Sequence, residues 1–265
     1  MKDDTMARPL RAASTAPLAA QVAHVTVEFE VGKGTVRGLD DVSFDLREGE
    51  LLVLVGRSGS GKTTALNVLA GLVEVTRGDV LVLGQPPVVA RPQLGYMFAR
   101  DALLPWRNAI RNIEFSLEVR GFGKVERKSR AREFLDLVKL GRVAFNYPSQ
   151  MSQGQRQRVA LARTWAPNPK ILLMDEPFSA LDAETREGLH DEFVRMWAAS
   201  KKSVVFVTHD LNEAITLADR VLVFSEGRIA KEFTIPFARP RDVVDIAADP
   251  VAREIYKEIR QLLYH

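Results

Sequence analysis

From about residue 22, apolar and polar side chains alternate. Val25, Val27 and Phe29 form one set and Val42, Phe44 and Leu46 another, punctuated by Gly32, Gly34 and Gly49. A period of two puts apolar side chains on one face of a strand, so the stretch predicts an antiparallel β-layer. It leads into the uninterrupted apolar run Leu51-Leu52-Val53-Leu54-Val55. Two more such runs are Ile171-Leu172-Leu173-Met174 and Val204-Val205-Phe206-Val207. A strand covered on both faces reads this way, which implies a central sheet with helices on either side. The remaining strand candidates are Asp79–Leu83, Leu94–Phe98 and Val221–Phe224, and the run at Val204 extends to Thr208.

Between about 108 and 165 the pattern becomes helical and charged. Phe134, Leu135, Val138 and Leu140 supply the apolar positions, and Pro148 interrupts before a helix that starts at Ser152. The segment reads as a helical insert between two strands of the sheet. From Pro250 to Leu263, Ile255, Ile259 and Leu262 recur at helical spacing, an amphipathic helix expected to pack on its own domain, with partner binding as the alternative. Residues 1–20, rich in Ala, Pro, Ser and Thr, read as a flexible leader. Asp3, Asp4, Arg8, Pro9, Arg11 and Pro17 break any apolar centre a signal peptide would need.

Composition narrows the classes. The chain has 265 residues, 46% of them hydrophobic, which suits one large α/β domain or one carrying an inserted subdomain. No apolar run approaches the roughly 20 residues of a membrane-spanning helix. The absence of cysteine excludes disulfides, thiolate metal sites and cysteine nucleophiles. A net charge of +3 without any dense Lys/Arg block predicts no nucleic-acid partner.

The chemistry lies where the apolar runs end. After Val55 comes Gly56-Arg57-Ser58-Gly59-Ser60-Gly61-Lys62-Thr63, and then the helix-compatible Thr64–Ala70. Strand, glycine loop, lysine, hydroxyl and helix is the order of a phosphate-binding P-loop. Glycines let backbone N–H groups of the loop face phosphate oxygens, and the helix N-terminus adds partial positive charge. Candidate nucleotide ligands are Gly56, Ser58, Gly59, Ser60, Gly61, Lys62, Thr63 and Thr64, with Lys62 on the β- and γ-phosphates and Thr63 on Mg²⁺. The run from Ile171 to Met174 ends in Asp175-Glu176, acids at the carboxyl end of a buried strand, where α/β sheets bind ligands. Asp175 is the expected second holder of Mg²⁺ and Glu176 the expected general base. His209, in Thr208-His209-Asp210, follows the other all-apolar strand; a γ-phosphate or water contact and a structural role are both open to it.

Further residues resemble a known family. Tyr147-Pro-Ser-Gln-Met151-Ser152-Gln153-Gly154-Gln155, continuing to Arg163, is similar to the signature segment of ABC-type ATPases. Ser179-Ala180-Leu181-Asp182 resembles the family's D-loop, and His209 its switch histidine. The resemblance spans about residues 22–230 with the motifs in the family's order. It implies an α/β fold: a P-loop ATPase core with an antiparallel β-layer and an inserted helical subdomain. The expected division is a leader (1–20), an ABC ATPase domain (21–236, helical subdomain about 101–166) and a helical tail (237–265).

The resemblance also implies ATP with Mg²⁺, and a second ATP-binding subunit whose bound γ-phosphate meets Ser152, Gly154 and Gln155 across a closed dimer, with Asp182 alongside. Ser152 is placed to cap its helix and turn the positive end toward that anion. Phe29, 33 positions before Lys62, matches the aromatic that stacks on adenine; an ordinary core phenylalanine is the competing reading. Two departures stand out. Gln153 replaces the usual first glycine of the signature, and Ala99 stands where the family carries a glutamine that touches Mg²⁺ and water, so that contact is absent or replaced, with Asp101 the candidate.

Asp101-Ala-Leu-Leu-Pro105-Trp106-Arg107 and Arg239-Pro240-Arg241 resemble the nitrate/sulfonate/taurine-type importer ATPases. An apolar loop of that kind suits burial against a membrane subunit, with a satellite core under the helical insert as the alternative. The importer resemblance implies an integral membrane permease, an extracytoplasmic substrate-binding protein as an indirect partner, and a peripheral position on the cytoplasmic face of the membrane. The rival class is a soluble, non-transport ABC ATPase or regulator with attenuated turnover.

Overall fold

The computed structural model describes residues 17–32, 34–241 and 243–264. The strands are β1 (Leu18–Val31), β2 (Gly34–Arg47), β3 (Leu51–Gly56), β4 (Arg77–Val82), β5 (Leu94–Met97), β6 (Ile171–Asp175), β7 (Ser203–Thr208), β8 (Arg220–Ser225) and β9 (Arg228–Thr234). The helices are α1 (Lys62–Leu69), α2 (Pro87–Ala90), α3 (Ala109–Val119), α4 (Lys124–Leu137), α5 (Gln153–Trp165), α6 (Ala183–Ser200), α7 (Leu211–Leu217), α8 (Val243–Ala248) and α9 (Pro250–Tyr264).

Two sheets form. The antiparallel layer has the order β2-β1-β4, and the second sheet runs β5-β6-β7-β3-β8-β9, parallel except for β9, which returns antiparallel on β8. The apolar runs occupy the middle of the second sheet because both their faces are covered. Leu51, Val53, Val55, Met174 and Phe206 enter a core shared with the helical subdomain. Their neighbours Leu52, Leu54, Leu173, Val205 and Val207 enter a core shared with α1 and the antiparallel layer. Each such side chain contributes about 1.5–3 kcal/mol by leaving water, and a period of two serves both cores from one strand.

The predicted insert is α3, α4 and α5, joined through Ile113, Leu117, Leu135, Val138 and Val159. Leu135, Val138 and Leu140 are buried as expected, with Phe134 partly so. The last helix lays Ala252, Ile259 and Leu263 into the main core, with Ile255 and Leu262 packed beside them, so its apolar stripe is used within the chain.

The leader boundary needs correction. Residues 1–16 lie outside the described residues, but Leu18–Ala20 already belong to β1, with Ala19 and Ala20 buried and Ala20 paired to both Leu46 and Val82. β9 was not anticipated: Arg228–Thr234 is mostly exposed and carries no apolar alternation. Pairing with β8 fixes it, helped by Arg220, whose Nε donates to Glu232 (2.7 Å) while its other nitrogens bond Glu50 (2.9 Å) and Asp45 (2.8 Å). That cluster ties the two sheets at the end opposite the P-loop.

Candidate functional site

The loops at the carboxyl ends of β3, β6 and β7 lie side by side because these strands are neighbours, with Val55 opposite Thr208 and Asp175 opposite Val207. The sheet order reverses direction around β3, where open α/β sheets form a ligand crevice.

The loop after β3 is built by its glycines. Gly61 holds φ 105° as the N-cap of α1, and a Cβ there would sit 2.7 Å from the Gly38 carbonyl oxygen. A Cβ on Gly56 would lie 2.4 Å from Ser60 Oγ and 2.6 Å from the Phe224 oxygen. Both positions therefore exclude any side chain. Lys62 is buried, and its Nζ donates to the carbonyls of Gly56 (2.8 Å) and Arg57 (2.9 Å), so the loop wraps its own lysine. Burial lowers the Lys62 pKa, opposed by the charges of Glu176 and Asp175. Ser58 and Gly59 are exposed on the outer turn, and Ser60 Oγ is buried without a hydrogen-bond partner.

Thr63 Oγ1 donates to Asp175 Oδ1 at 3.0 Å. Burial raises the Asp175 pKa and Glu176 adds to the rise, while the Thr63 hydrogen bond and Lys62 oppose it. The described residues include no cluster of three or more His, Cys, Asp or Glu able to hold a metal. One hydroxyl and one carboxylate are nonetheless the set that suits Mg²⁺, which takes most of its shell from phosphates and water.

Glu176 adopts φ 45°, in the left-handed region, a strained conformation for a residue with a side chain. Its N–H donates to the Val207 oxygen (3.0 Å) and its carbonyl accepts from Ser179 Oγ (3.0 Å), which fixes the turn. Glu176 Oε2 then lies 3.0 Å from His209 Nδ1. The structure thus brings together the predicted base and the predicted switch histidine.

Phe29 is 39% exposed, which removes the core-phenylalanine reading. Its ring covers Gly38, where a Cβ would meet Phe29 Cε2 at 2.6 Å and Thr64 Cγ2 at 3.3 Å, so the exposed aromatic stands beside the start of α1.

The signature residues lie at the start of α5. Ser152 Oγ accepts from Gln155 N (3.2 Å) and Gln155 Oε1 accepts from Ser152 N (3.0 Å), a reciprocal cap on α5. Gly154 is closely packed: a Cβ there would stand 2.4 Å from Thr185 Cγ2, so a larger residue would require the Thr185 side chain to move. Gln153 is exposed. Among the described residues no hydrogen bond or ion pair joins Ser152 to Lys62 or Thr63. Asp182 caps α6, accepting from Thr185 N (3.0 Å), a bond that lowers its pKa.

Both carboxylate oxygens of Asp101 are engaged within the protein. Its Oδ2 accepts from Arg156 Nε (2.9 Å) and its Oδ1 from Leu103 N (3.2 Å), while Arg163 donates to the carbonyls of Asp101 (2.8 Å) and Ala102 (2.7 Å). Two arginines of α5 hold this loop, a partnership no local pattern announces. We expect Asp101→Ala to keep steady-state ATP hydrolysis within a few-fold of wild type while lowering the melting temperature by about 2–4 °C, the effect of losing roughly 1 kcal/mol of half-buried ion pair. A loss of about tenfold or more in hydrolysis would return Asp101 to the metal shell.

A lysine held by its loop's carbonyls, with a strand-end aspartate facing the next hydroxyl, defines a P-loop nucleoside triphosphatase. The family described as ABC transporter matches residues 39–179, and the chain belongs to it. It is an ATPase of that family, and its two-sheet cassette is shared with a dimeric ATP-binding cassette solved in a post-hydrolysis state with ADP and Pi (TM-score 0.76, 32% identity, 83% of this chain and 100% of that one). A taurine import ATP-binding protein, TauB, of Rhizobium johnstonii is 41% identical over 251 residues, 92% of this chain and 96% of its own. An ABC transporter ATP-binding protein of Methanocaldococcus jannaschii is 42% identical over 228 residues, 85% of each chain.

Proposed function

We propose that the chain is the ATP-hydrolysing subunit of an importer for a small nitrate-, sulfonate- or taurine-like nutrient, acting as a dimer that closes on ATP and reopens after hydrolysis. Lys62 and the N–H groups of Gly59 to Thr64 hold the β- and γ-phosphates, and Phe29 stacks on adenine. Thr63 and Asp175 hold Mg²⁺, which when bound neutralises phosphate charge. Glu176 takes the proton of the attacking water, oriented with help from His209. Ser152 Oγ already accepts from Gln155 N, so its own O–H is left to donate to the γ-phosphate on the partner subunit. Gly154, Gln155 and Asp182 shape that opposing face. ATP thereby becomes part of the dimer interface, and closure follows its differential affinity for the closed state. The relative named for taurine import supports the substrate class.

The observation that carries the membrane partnership is the loop around Trp106. Leu103 turns into the core, but Trp106 is 71% exposed. Asn112 is fully buried and spends its side chain on the loop, accepting from Leu104 N (2.8 Å) and donating to the oxygens of Leu104 (3.2 Å) and Arg107 (2.8 Å). A large aromatic displayed on a braced loop suits a permease helix better than solvent. The cassette then sits peripherally on the cytoplasmic face of the membrane, with the extracytoplasmic binding protein reached only through the permease.

Trp106→Ala is expected to leave ATP binding and the melting temperature of the isolated subunit unchanged and to weaken co-purification with a polytopic permease from detergent extract. Loss of a buried aromatic anchor costs about 2 kcal/mol or more at an interface. Wild-type protein that captures no membrane subunit would favour the soluble, non-transport reading.

A further inference from the structure

The last turn of α9 reaches the P-loop. With Ile259 and Leu263 packed in the core, the Tyr264 ring lies 5.9 Å from the Arg57 guanidinium carbon. Leu262, Leu263 and Tyr264 face Ser58, Gly59 and Ser60 across a cavity of about 410 Å³. Tyr264 also borders a second cavity, of about 1010 Å³, that opens onto His209 and Asp210. One side chain stands between the loop that encircles the phosphates and the loop that carries the switch histidine.

Arg57 belongs to the geometry of the phosphate loop. Its carbonyl accepts from Lys62 Nζ (2.9 Å) and from Ser60 N (3.1 Å). The inner half of the loop is fixed by these bonds and by the tight fit of Gly56 on Phe224, whereas Arg57, Ser58 and Gly59 are exposed. Among the described residues the Arg57 guanidinium makes no hydrogen bond or ion pair, and the Tyr264 ring is the partner it has. A cation over an aromatic face is attracted by the ring's quadrupole even at exposed sites.

We propose that Tyr264 is a positioning residue for ATP binding, its ring holding Arg57 so that the outer turn of the P-loop stays in the shape that receives phosphate. Affinity for a ligand falls by the fraction of time its site spends in other shapes, so a restraint on the exposed half of the loop acts on ATP affinity. Glu176 and His209 supply the hydrolytic step and lie outside this contact, so turnover at saturating ATP is spared. The inference rests on the P-loop holding the phosphates.

The test is a titration of the full chain with a fluorescent ATP analogue, alongside steady-state hydrolysis, for wild type, Tyr264→Ala, Tyr264→Phe, Arg57→Gln and the Tyr264→Ala/Arg57→Gln double variant. Tyr264→Ala and Arg57→Gln should each weaken binding and raise KM by about two- to fivefold, the range of an exposed cation–π contact, with kcat unchanged. Tyr264→Phe keeps the ring face and should bind as wild type, and the double variant should be no weaker than either single one. Wild-type affinity in Tyr264→Ala overturns the proposal, as does equal weakening in Tyr264→Phe, or a loss of kcat and melting temperature with KM intact. Lys62→Ala serves as the separate control. If it binds ATP normally the P-loop reading itself fails, and this proposal with it.

Discussion

Glu176→Gln is expected to reduce ATP hydrolysis by about 10²-fold or more, the scale of a general base, while ATP binding persists and an ATP-dependent dimer accumulates. Glutamine keeps the volume of the side chain and an oxygen for the 3.0 Å contact with His209 Nδ1, but it accepts no proton from water. The left-handed turn at residue 176 is held by backbone contacts to Val207 and Ser179, so the amide stays where the acid was. Removing one negative charge beside Asp175 and Lys62 also lessens repulsion toward the γ-phosphate, which favours the bound state. Single-turnover hydrolysis together with size-exclusion chromatography in ATP tests both halves. A variant that turns over near the wild-type rate places the base elsewhere, and one that hydrolyses slowly yet never dimerises separates catalysis from closure.

Much of this molecule is legible in its sequence because the determining residues are neighbours in the chain. The inner strands announce themselves as unbroken apolar runs, since each must satisfy a core on either face. The phosphate loop is contiguous; Gly56 and Gly61 are set by contacts that a Cβ would forbid, and Gly59 by its φ of 79°. What stayed hidden is of two kinds. Ala19 and Ala20 are buried strand residues whose small side chains give no alternation to read, and Arg228–Thr234 is a strand only because β8 offers it an edge. Long-range pairs form the second kind. Arg156 and Asp101 are 55 positions apart, and their ion pair is what engages the Asp101 carboxylate within the helical subdomain. The contact of Arg57 with Tyr264 is likewise invisible without the packing of α9. For Phe29 the sequence left core and ligand contact open, and its exposure beside α1 decides against the core.

Lys62→Ala should weaken ATP binding and lower hydrolysis by about 10²–10³-fold, the cost of removing one preorganised charge from a transferring phosphoryl group. The lysine is held beneath the loop by the Gly56 and Arg57 carbonyls, and its ammonium lies close enough to Asp175 and Glu176 for both to raise its pKa against the effect of burial. Alanine removes this positive charge but leaves both carboxylates facing an anionic ligand, so binding loses an attraction and keeps a repulsion. Of the two freed carbonyls, that of Arg57 belongs to the exposed outer turn, where water can take the place of the lysine, whereas that of Gly56 is buried, so the fold should survive with a modest fall in melting temperature. Isothermal titration with ATP, alongside a thermal melt, separates these effects. If affinity and hydrolysis both stay at wild-type levels in a folded variant, the loop after β3 is not where the phosphates bind. If the variant unfolds instead, Lys62→Met restores the apolar stem without the charge and should reproduce the loss of binding in a stable protein.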